Sequence, residues 1–332
     1  MRKPFASLTG LRLCGDYRGG ETAPVDPDLF LGGSAPSQRV LQLQQMIPSL
    51  GLPKLLLSSS HLTDLLLFVS GYVSPEAMMT NISALTRLKT LSLEFDGPRS
   101  SPDLTSPPPP ARTLLLALIS LNFKGESGYL EHLLAGIDAP LLDNLYITFF
   151  PQLSFHTPQL TEFINRTPRL KLHDDAAITF YKWTVLVTLP RFLDGGFRLQ
   201  ILCDTANWHF SSKVQICTSS ISQAIGPIVK RLYILDDRRG RANRDNFENG
   251  QWLDLLRPFG HVKELYLCRE FTYYLAPALQ ELVGERAREV LPGLQKLFLE
   301  LGLSQIVQDV IGQFIAARQL SGHPIAVSPQ WH

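Results

Sequence analysis

One six-residue pattern recurs along the chain: leucine, two variable residues, leucine, one variable residue and leucine, with other aliphatic residues or phenylalanine tolerated at the leucine positions. Clear copies begin at Leu8, Leu62, Leu88, Leu118, Leu142, Val229, Val262 and Leu294. Most neighbouring copies are 24 to 33 residues apart, and the longer gaps of 54 and 87 residues are close to two and three repeats. Weaker strand-like segments at Val40, Ala177 and Leu199 fall inside those gaps. This period is near the upper end of the leucine-rich-repeat range.

The physics of the hexad predicts the fold class. In an extended segment alternate side chains point to the same side, so the last two leucines of each hexad enter a core while the residues between them face out. The chain then returns to start the next strand, usually through a helix. The composition agrees, because 58 of the 332 residues are leucine. We therefore expect an α/β fold: one irregular leucine-rich-repeat solenoid over residues 1–332, with a curved parallel sheet on the concave side and helices on the convex side.

Several segments between hexads carry helix signals. Ser74-Pro75 and Thr157-Pro158 each place a capping residue before a proline at the first helical position. Pro277 is expected to open a further helix, PALQELVGERAREV. Residues 304–320, beginning at Ser304, are predicted to form a C-terminal capping helix that buries the end of the solenoid.

Three segments depart from the repeat. Residues 96–112, with six prolines, are predicted to be a loop insertion, although the run PPPP also fits a proline-reading partner domain. Residues 236–249 contain four arginines among four acidic residues and are predicted to be a second, charged loop insertion. Residues 176–189 alternate in the manner of strands and favour a hairpin that interrupts the repeat.

Neither catalysis nor a cofactor is expected. The sequence lacks the glycine-rich, nucleophile-elbow and HExxH motifs of common enzyme classes. His173-Asp174-Asp175 is the one compact cluster of histidine and carboxylates, and a solvated turn explains it. The four cysteines lack metal-binding spacing, so we expect no metal site.

Charge and targeting signals restrict the partners. The net charge is +1, which disfavours nucleic acid and anionic membrane as partners. The first residues lack a signal-peptide apolar stretch, and the longest apolar run, Leu114 to Ile119, is far shorter than a membrane span. We expect an intracellular protein, cytoplasmic or nuclear.

The outward residues of the hexads predict a binding surface. Stacking the hexads aligns their outward residues in two columns. One column is Ser92, Asn122, Tyr146, Tyr233, Tyr266 and Phe298. The neighbouring column is Thr90, Ser120, Asn144, Arg231, Glu264 and Lys296. Tyrosine and arginine are favoured at interface hot spots. The predicted partner surface is therefore Tyr146, Tyr233, Tyr266, Phe298, Arg231 and Glu264. The alternative is that these rings only pack on one another across strands, or lie beneath the inserted segments.

The succession of segments also carries a family resemblance. It runs through GLPKLLLSSSHLTDLLL, SPEAM, LSLEFDGPRSSPD, FKGESGYLEHLLAGIDAPLLDNLYITFF, FHTPQLTEFINRTPRLK, APALQELVGERAREVLPGLQKLFLE and IGQFIAARQLSGHPIAVSPQW. From about residue 30 onward the chain resembles the F-box/leucine-rich-repeat-like proteins of mushroom-forming fungi. The resemblance implies the target-recognition repeats of a ubiquitin-ligase substrate receptor, whose F-box binds the adaptor. Because the first hexad begins at Leu8, we expect no F-box in this chain, and a Skp-type adaptor and cullin only if an F-box lies upstream.

Three other hypotheses stay open. The chain could be a stand-alone repeat scaffold without a ubiquitin link, which would bind a protein target but no adaptor. It could be an undetected enzyme, with His173 and Asp175 as the residues to substitute first. It could be a decaying paralogue without a selected function.

Overall fold

A computed structural model describes most of the chain, in two compact units. Unit 1 comprises Met1–Phe150 with Thr157–Leu170, and unit 2 comprises Pro151–His156 with Lys171–His332. The described residues are 7–14, 37–46, 56–57, 59–69, 73–98, 112–151, 157–171, 174–181, 184–190, 196–202, 225–236, 249–282, 286 and 289–328.

In unit 1 the hexads form a parallel sheet. Its six strands pair in the order β1, β2, β3, β4, β6, β8. The strands are β1 Gly10–Cys14, β2 Val40–Met46, β3 Asp64–Val69, β4 Thr90–Phe95, β6 Ser120–Gly125 and β8 Asn144–Phe149. The predicted alternation is confirmed, because in β3 the hexad residues Leu65 and Leu67 are buried while the residues between them are half-exposed.

The helices of unit 1 lie against the leucine face of this sheet. They are α1 Pro75–Ser83, α2 Ser127–Ala135 and α3 Pro158–Arg166. The Tyr129 ring of α2 packs on Phe95 and Phe123 of the sheet, with ring centroids 4.8 and 6.0 Å apart. Two short strands, β5 Thr113–Leu114 and β7 Ile137–Asp138, pair separately. The hexad residues between the leucines therefore occupy the face opposite the helices.

Unit 2 repeats this arrangement with one irregularity. Its strands pair in the order β11, β10, β9, β12, β13, β14, β15. The strands are β9 Asp175–Phe180, β10 Thr184–Pro190, β11 Gly196–Leu202, β12 Arg231–Asp236, β13 Glu264–Leu267, β14 Lys296–Leu299 and β15 Ala326–Ser328. The helices are α4 Asn249–Leu256, α5 Arg269–Gln280 and α6 Gln305–Leu320. Phe271 of α5 packs on the inward Phe180 of β9, with centroids 5.0 Å apart.

The irregularity is the predicted hairpin. β9 and β10 are antiparallel, as the alternation over residues 176–189 predicts. β10 is also antiparallel to β11, so β9, β10 and β11 form a meander in which β10 runs against the other two strands. The strand-like segment at Leu199 is therefore confirmed as a strand, and β11 runs in the same direction as β9 and β12. The antiparallel return from β10 to β11 follows from the short connection between Pro190 and Gly196. A parallel crossover needs a dozen or more residues, whereas an antiparallel return needs only a few.

The sequence correctly predicts where two helices begin and wrongly predicts the start of a third. α1 begins at Pro75, and the Ser74 hydroxyl accepts a hydrogen bond from the Ala77 amide at 3.2 Å. α3 begins at Pro158, as predicted. Pro277, however, lies inside the last turns of α5 instead of opening a helix. α5 follows β13 after Cys268 alone, so its true start carries no proline or hydroxyl signal.

The other expected departures from the repeat fall largely outside the described residues. Of the predicted insertions, 99–111 and 237–248 lie outside them. The helix expected over 304–320 is α6, which buries Val307, Ile311 and Phe314. Strand β15 follows it and pairs with β14, so the repeat continues past this helix by one strand.

Candidate functional site

Three aromatic rings are stacked on the face of unit 2 opposite its helices. Strand pairing sets Tyr233, Tyr266 and Phe298 side by side on β12, β13 and β14. The Tyr233 and Tyr266 ring centroids are 4.2 Å apart with a 13° angle between planes, and the Tyr266 and Phe298 centroids are 4.2 Å apart with 3°. All three side chains are half-exposed. The rings thus cover one another's faces and present their edges outward.

Small residues bound this aromatic stack on both sides. Ala177 of β9 pairs with Tyr233, and Ser328 of β15 pairs with Phe298. The two terminal rings are therefore flanked in the sheet by residues with short side chains.

A row of charges with alternating sign runs beside the stack. Register places Asp175, Arg231, Glu264 and Lys296 on successive strands β9, β12, β13 and β14. Arg231 forms an ion pair with Asp175, and the Lys296 ammonium lies 2.9 Å from Glu264 Oε1. We call this row the charge ladder. Its charges sum to zero.

A hydrogen bond joins the charge ladder to the stack. The Tyr266 hydroxyl donates to Glu264 Oε2 at 2.9 Å. Burial raises the pKa of Tyr266 well above its usual range, and the bond to Glu264 and the contact with Tyr233 add to the effect. The hydrogen bond from Lys296 lowers the pKa of Glu264. Burial raises the pKa of Asp175 although Arg231 opposes the change. The aromatic stack and the charge ladder are therefore held together through Tyr266 and Glu264.

On the corresponding face of unit 1, strands β4 and β6 carry polar residues where unit 2 has its rings. Its register aligns Ser92, Asn122 and Tyr146, as the hexads predict. The Asn122 amide donates to the Ser92 hydroxyl at 3.0 Å and to Glu94 Oε1 at 3.2 Å. Tyr146 thus lies beside an asparagine, and Ala177 occupies the position next to Tyr233. Of the four aromatic residues predicted in one column, the structure brings together only Tyr233, Tyr266 and Phe298.

The sequence reasoning missed Asp175 as the end of the charge ladder. The signal was present, because Asp175 precedes Ala177 by two residues just as Arg231 precedes Tyr233. The pattern predicts a strand from Ala177 onward and a solvated turn over His173 to Asp175. His173 lies outside the described residues, and Asp174 lies 3.4 Å from the Lys230 ammonium.

Other candidate reactive groups offer little chemistry. Cys14 is exposed and Cys268 is buried, and both are free thiols, whereas Cys203 and Cys217 lie outside the described residues. Burial raises the pKa of the Cys268 thiol to about 12, so it stays protonated at neutral pH. Within the described ranges, no group of three or more histidine, cysteine or acidic residues could hold a metal ion. In the same ranges, every helix is too short or too polar to cross a lipid bilayer.

Comparison with known proteins adds one structural likeness. Models of protein families give no match to the sequence, and no curated protein matches it. Among solved structures, the chain is similar to the leucine-rich repeat-containing protein LegL7 from Legionella pneumophila. The two share 16% sequence identity over 96% of this chain and 91% of that chain, with a TM-score of 0.34. A score this low does not establish a common fold, so the leucine-rich-repeat assignment rests on the hexads and the strand pairing.

Proposed function

We propose that this chain is a protein-interaction module that binds a protein target through the open face of the unit 2 sheet. The observation that carries the proposal is the aromatic stack beside the charge ladder. Tyrosine is enriched at interface hot spots because it offers a large contact area with few rotatable bonds. Mutual stacking fixes these rings before a partner arrives, which lowers the entropy lost on binding.

Binding accounts for this face better than catalysis does. The carboxylates of the charge ladder are paired with cations, and the Tyr266 hydroxyl is bonded to Glu264. A general base has to reach a substrate proton, and paired groups with fixed partners are poorly placed for that role. We therefore propose a role without turnover.

The test compares partner recovery between variants. The tagged protein is purified from its own cells, and co-purifying proteins are quantified by mass spectrometry. We expect Tyr233→Ala with Tyr266→Ala to reduce recovery of the target about tenfold or more, the effect of losing hot-spot residues. The same positions changed to Phe keep the rings and are expected to keep binding.

Tyr273→Ala is the matched control, because Tyr273 is an exposed tyrosine on helix α5 of the same unit. It should leave recovery unchanged. Circular dichroism and thermal unfolding establish that each variant folds. Undiminished recovery with the folded double alanine variant would contradict the proposal.

We further propose the finer role of target recognition within an F-box-type ubiquitin ligase. Its support is the succession of segments that resembles the F-box/leucine-rich-repeat-like family. The same purification tests it, because a Skp-type adaptor and a cullin should accompany the target if an F-box lies upstream of this chain. Recovery of the target without either subunit would instead favour a stand-alone scaffold.

A further inference from the structure

The repeats of unit 1 build a cleft at the edge where the strands begin. The cleft has a volume of about 810 Å³. Thr9, Arg39, Thr63 and Lys89 line it, and each immediately precedes one of strands β1 to β4. The backbone carbonyl of each accepts two amide N–H groups from the next repeat, as when Lys89 and Thr90 donate to Thr63 at 2.7 and 3.0 Å. The spacing of this row is therefore fixed by the repeat itself.

A second row lies two residues upstream of the first. It contains His61 and Arg87, which precede Thr63 and Lys89 by two positions and also line the cleft. Arg87 Nη1 lies 2.9 Å from His61 Nδ1. Because guanidinium is only a donor, Nδ1 accepts this bond and the ring proton of His61 sits on Nε2. His61 thus contributes another N–H donor.

The cleft carries a net positive charge. Arg39, Arg87 and Lys89 are exposed, and Asp64 is the one acidic residue among the described residues that line the cleft. Asp64 Oδ2 accepts a hydrogen bond from the Thr63 hydroxyl at 2.7 Å. Over the described ranges, none of the three cations forms an ion pair with a carboxylate. The lining therefore holds three positive charges against one negative charge, surrounded by hydroxyl donors.

We propose that this cleft binds an acidic peptide segment of a protein partner. Neighbouring strands are about 4.8 Å apart, so Arg39 before β2 and Lys89 before β4 project from backbone sites about 10 Å apart. In a polyproline II segment, residues three apart lie on the same side at about 9 Å. Two carboxylates at that spacing can reach the two cationic sites together, and guanidinium binds carboxylate through paired hydrogen bonds.

Single-stranded nucleic acid fits the cleft less well. Proteins that bind single strands combine cations with aromatic rings on which bases stack. Among the described residues that line this cleft there is no phenylalanine, tyrosine or tryptophan. The proposal is also independent of the aromatic stack, which lies in unit 2, so the two can fail separately.

Fluorescence anisotropy with a labelled hexaglutamate peptide and the full chain tests the proposal. We expect saturable binding that weakens as salt is added, because exposed charges are screened. Arg39→Glu with Lys89→Glu is expected to weaken binding about tenfold or more, since each lost charge-assisted hydrogen bond contributes substantially. The control is Lys263→Glu, an exposed lysine at the equivalent position before β13 in unit 2. This control is expected to change affinity less than about twofold.

Three outcomes would overturn the proposal. One is an absence of hexaglutamate binding at physiological ionic strength. Another is an equal loss of affinity in the Lys263→Glu control, which would indicate bulk charge instead of a site. The third is that a labelled oligonucleotide with the same number of negative charges binds more tightly than hexaglutamate, and that Arg39→Glu with Lys89→Glu weakens this binding.

Discussion

At the scale of single residues, a buried arginine holds the last repeat of unit 2 together. Arg318 of α6 has no solvent exposure. Its Nη2 donates to the carbonyl oxygens of Leu291, Pro292 and Leu294 at 3.2 to 3.4 Å. Leu291 has a φ of 49°, a left-handed conformation that a leucine adopts at a cost. Arg318 therefore satisfies the carbonyls of an unfavourable turn that leads into β14.

Replacing Arg318 by methionine should be strongly destabilising. The change keeps much of the apolar volume but leaves three carbonyl oxygens without this donor, two of them in buried hydrogen bonds, so we expect the free energy of unfolding to fall by about 2–4 kcal/mol. Urea denaturation measures it. If the methionine variant does not fold, Arg318→Lys keeps one charged donor and should show a smaller loss.

The matched control is Arg257→Met. Arg257 is exposed, and its partner Asp254 lies three residues earlier on the same helix, so the expected change is within about 0.5 kcal/mol. Equal losses in both variants would show that the buried hydrogen bonds of Arg318 do not stabilise the turn.

At the scale of elements, the charge ladder ties neighbouring strands and makes their stability depend on pH. The pKa of Glu264 is lower in the folded chain than its ordinary value of 4.5, chiefly through the hydrogen bond from Lys296. A group with a lowered folded pKa stabilises the fold above its unfolded pKa. That contribution is lost as the pH falls below about 4.5 and through the folded pKa.

The Glu264→Gln variant should therefore be less stable than the wild type at neutral pH. In strong acid the two proteins should be equally stable. Because the Lys296 side chain is 54% exposed, solvent screens the pair and the expected difference at pH 7 is below about 1 kcal/mol. Urea titrations across the pH range measure it. Glu281→Gln, at an exposed carboxylate bonded to the Asn249 amide, is the control. A difference that persists unchanged at acid pH would contradict the assignment.

The strands could be predicted from the sequence because one hexad determines both burial and register. Leu265 and Leu297 occupy the same hexad position, and the structure pairs them. The antiparallel pairing of β11 with β10 could not be predicted, because alternation of buried and exposed residues is the same in parallel and antiparallel strands. Ala177 beside Tyr233 shows the same difficulty at the site, since one irregular hairpin shifts which repeats become neighbours.

The capping of helix α3 depends on a contact that residue spacing in the sequence does not reveal. Thr157 was expected to cap α3, but its side chain makes no capping bond. Glu131 of α2 does so instead, accepting hydrogen bonds from the amides of Gln159 and Leu160 at 2.7 and 2.9 Å. This cap reaches from one repeat to the next, so it depends on tertiary packing instead of local sequence.

At the scale of the whole molecule, stability in a repeat protein arises mainly between neighbours. The chain forms two compact units, and Glu131 belongs to unit 1 whereas Arg318 belongs to unit 2. A substitution in one repeat is therefore expected to increase local unfolding mainly in the segments that contact that repeat.

Glu131→Ala should open unit 1 locally. Amide hydrogen exchange is expected to rise in α3, since two amides at its start lose a charged acceptor, and to stay unchanged in β12 to β14. Hydrogen exchange with peptide mapping measures this pattern. Glu162→Ala, on the exposed side of α3, is the control. Faster exchange throughout both units would show a single cooperative transition instead.

The alternation of sign along the charge ladder also restricts how a partner can align with it. A partner whose own charges complement Asp175, Arg231, Glu264 and Lys296 in one alignment meets a like charge at every position after a shift of one strand. A shift of two strands restores the signs but moves the partner off the aromatic rings. The charge ladder therefore determines the register in which a partner binds. It contributes little attraction of its own but disfavours alignments that are shifted by one strand.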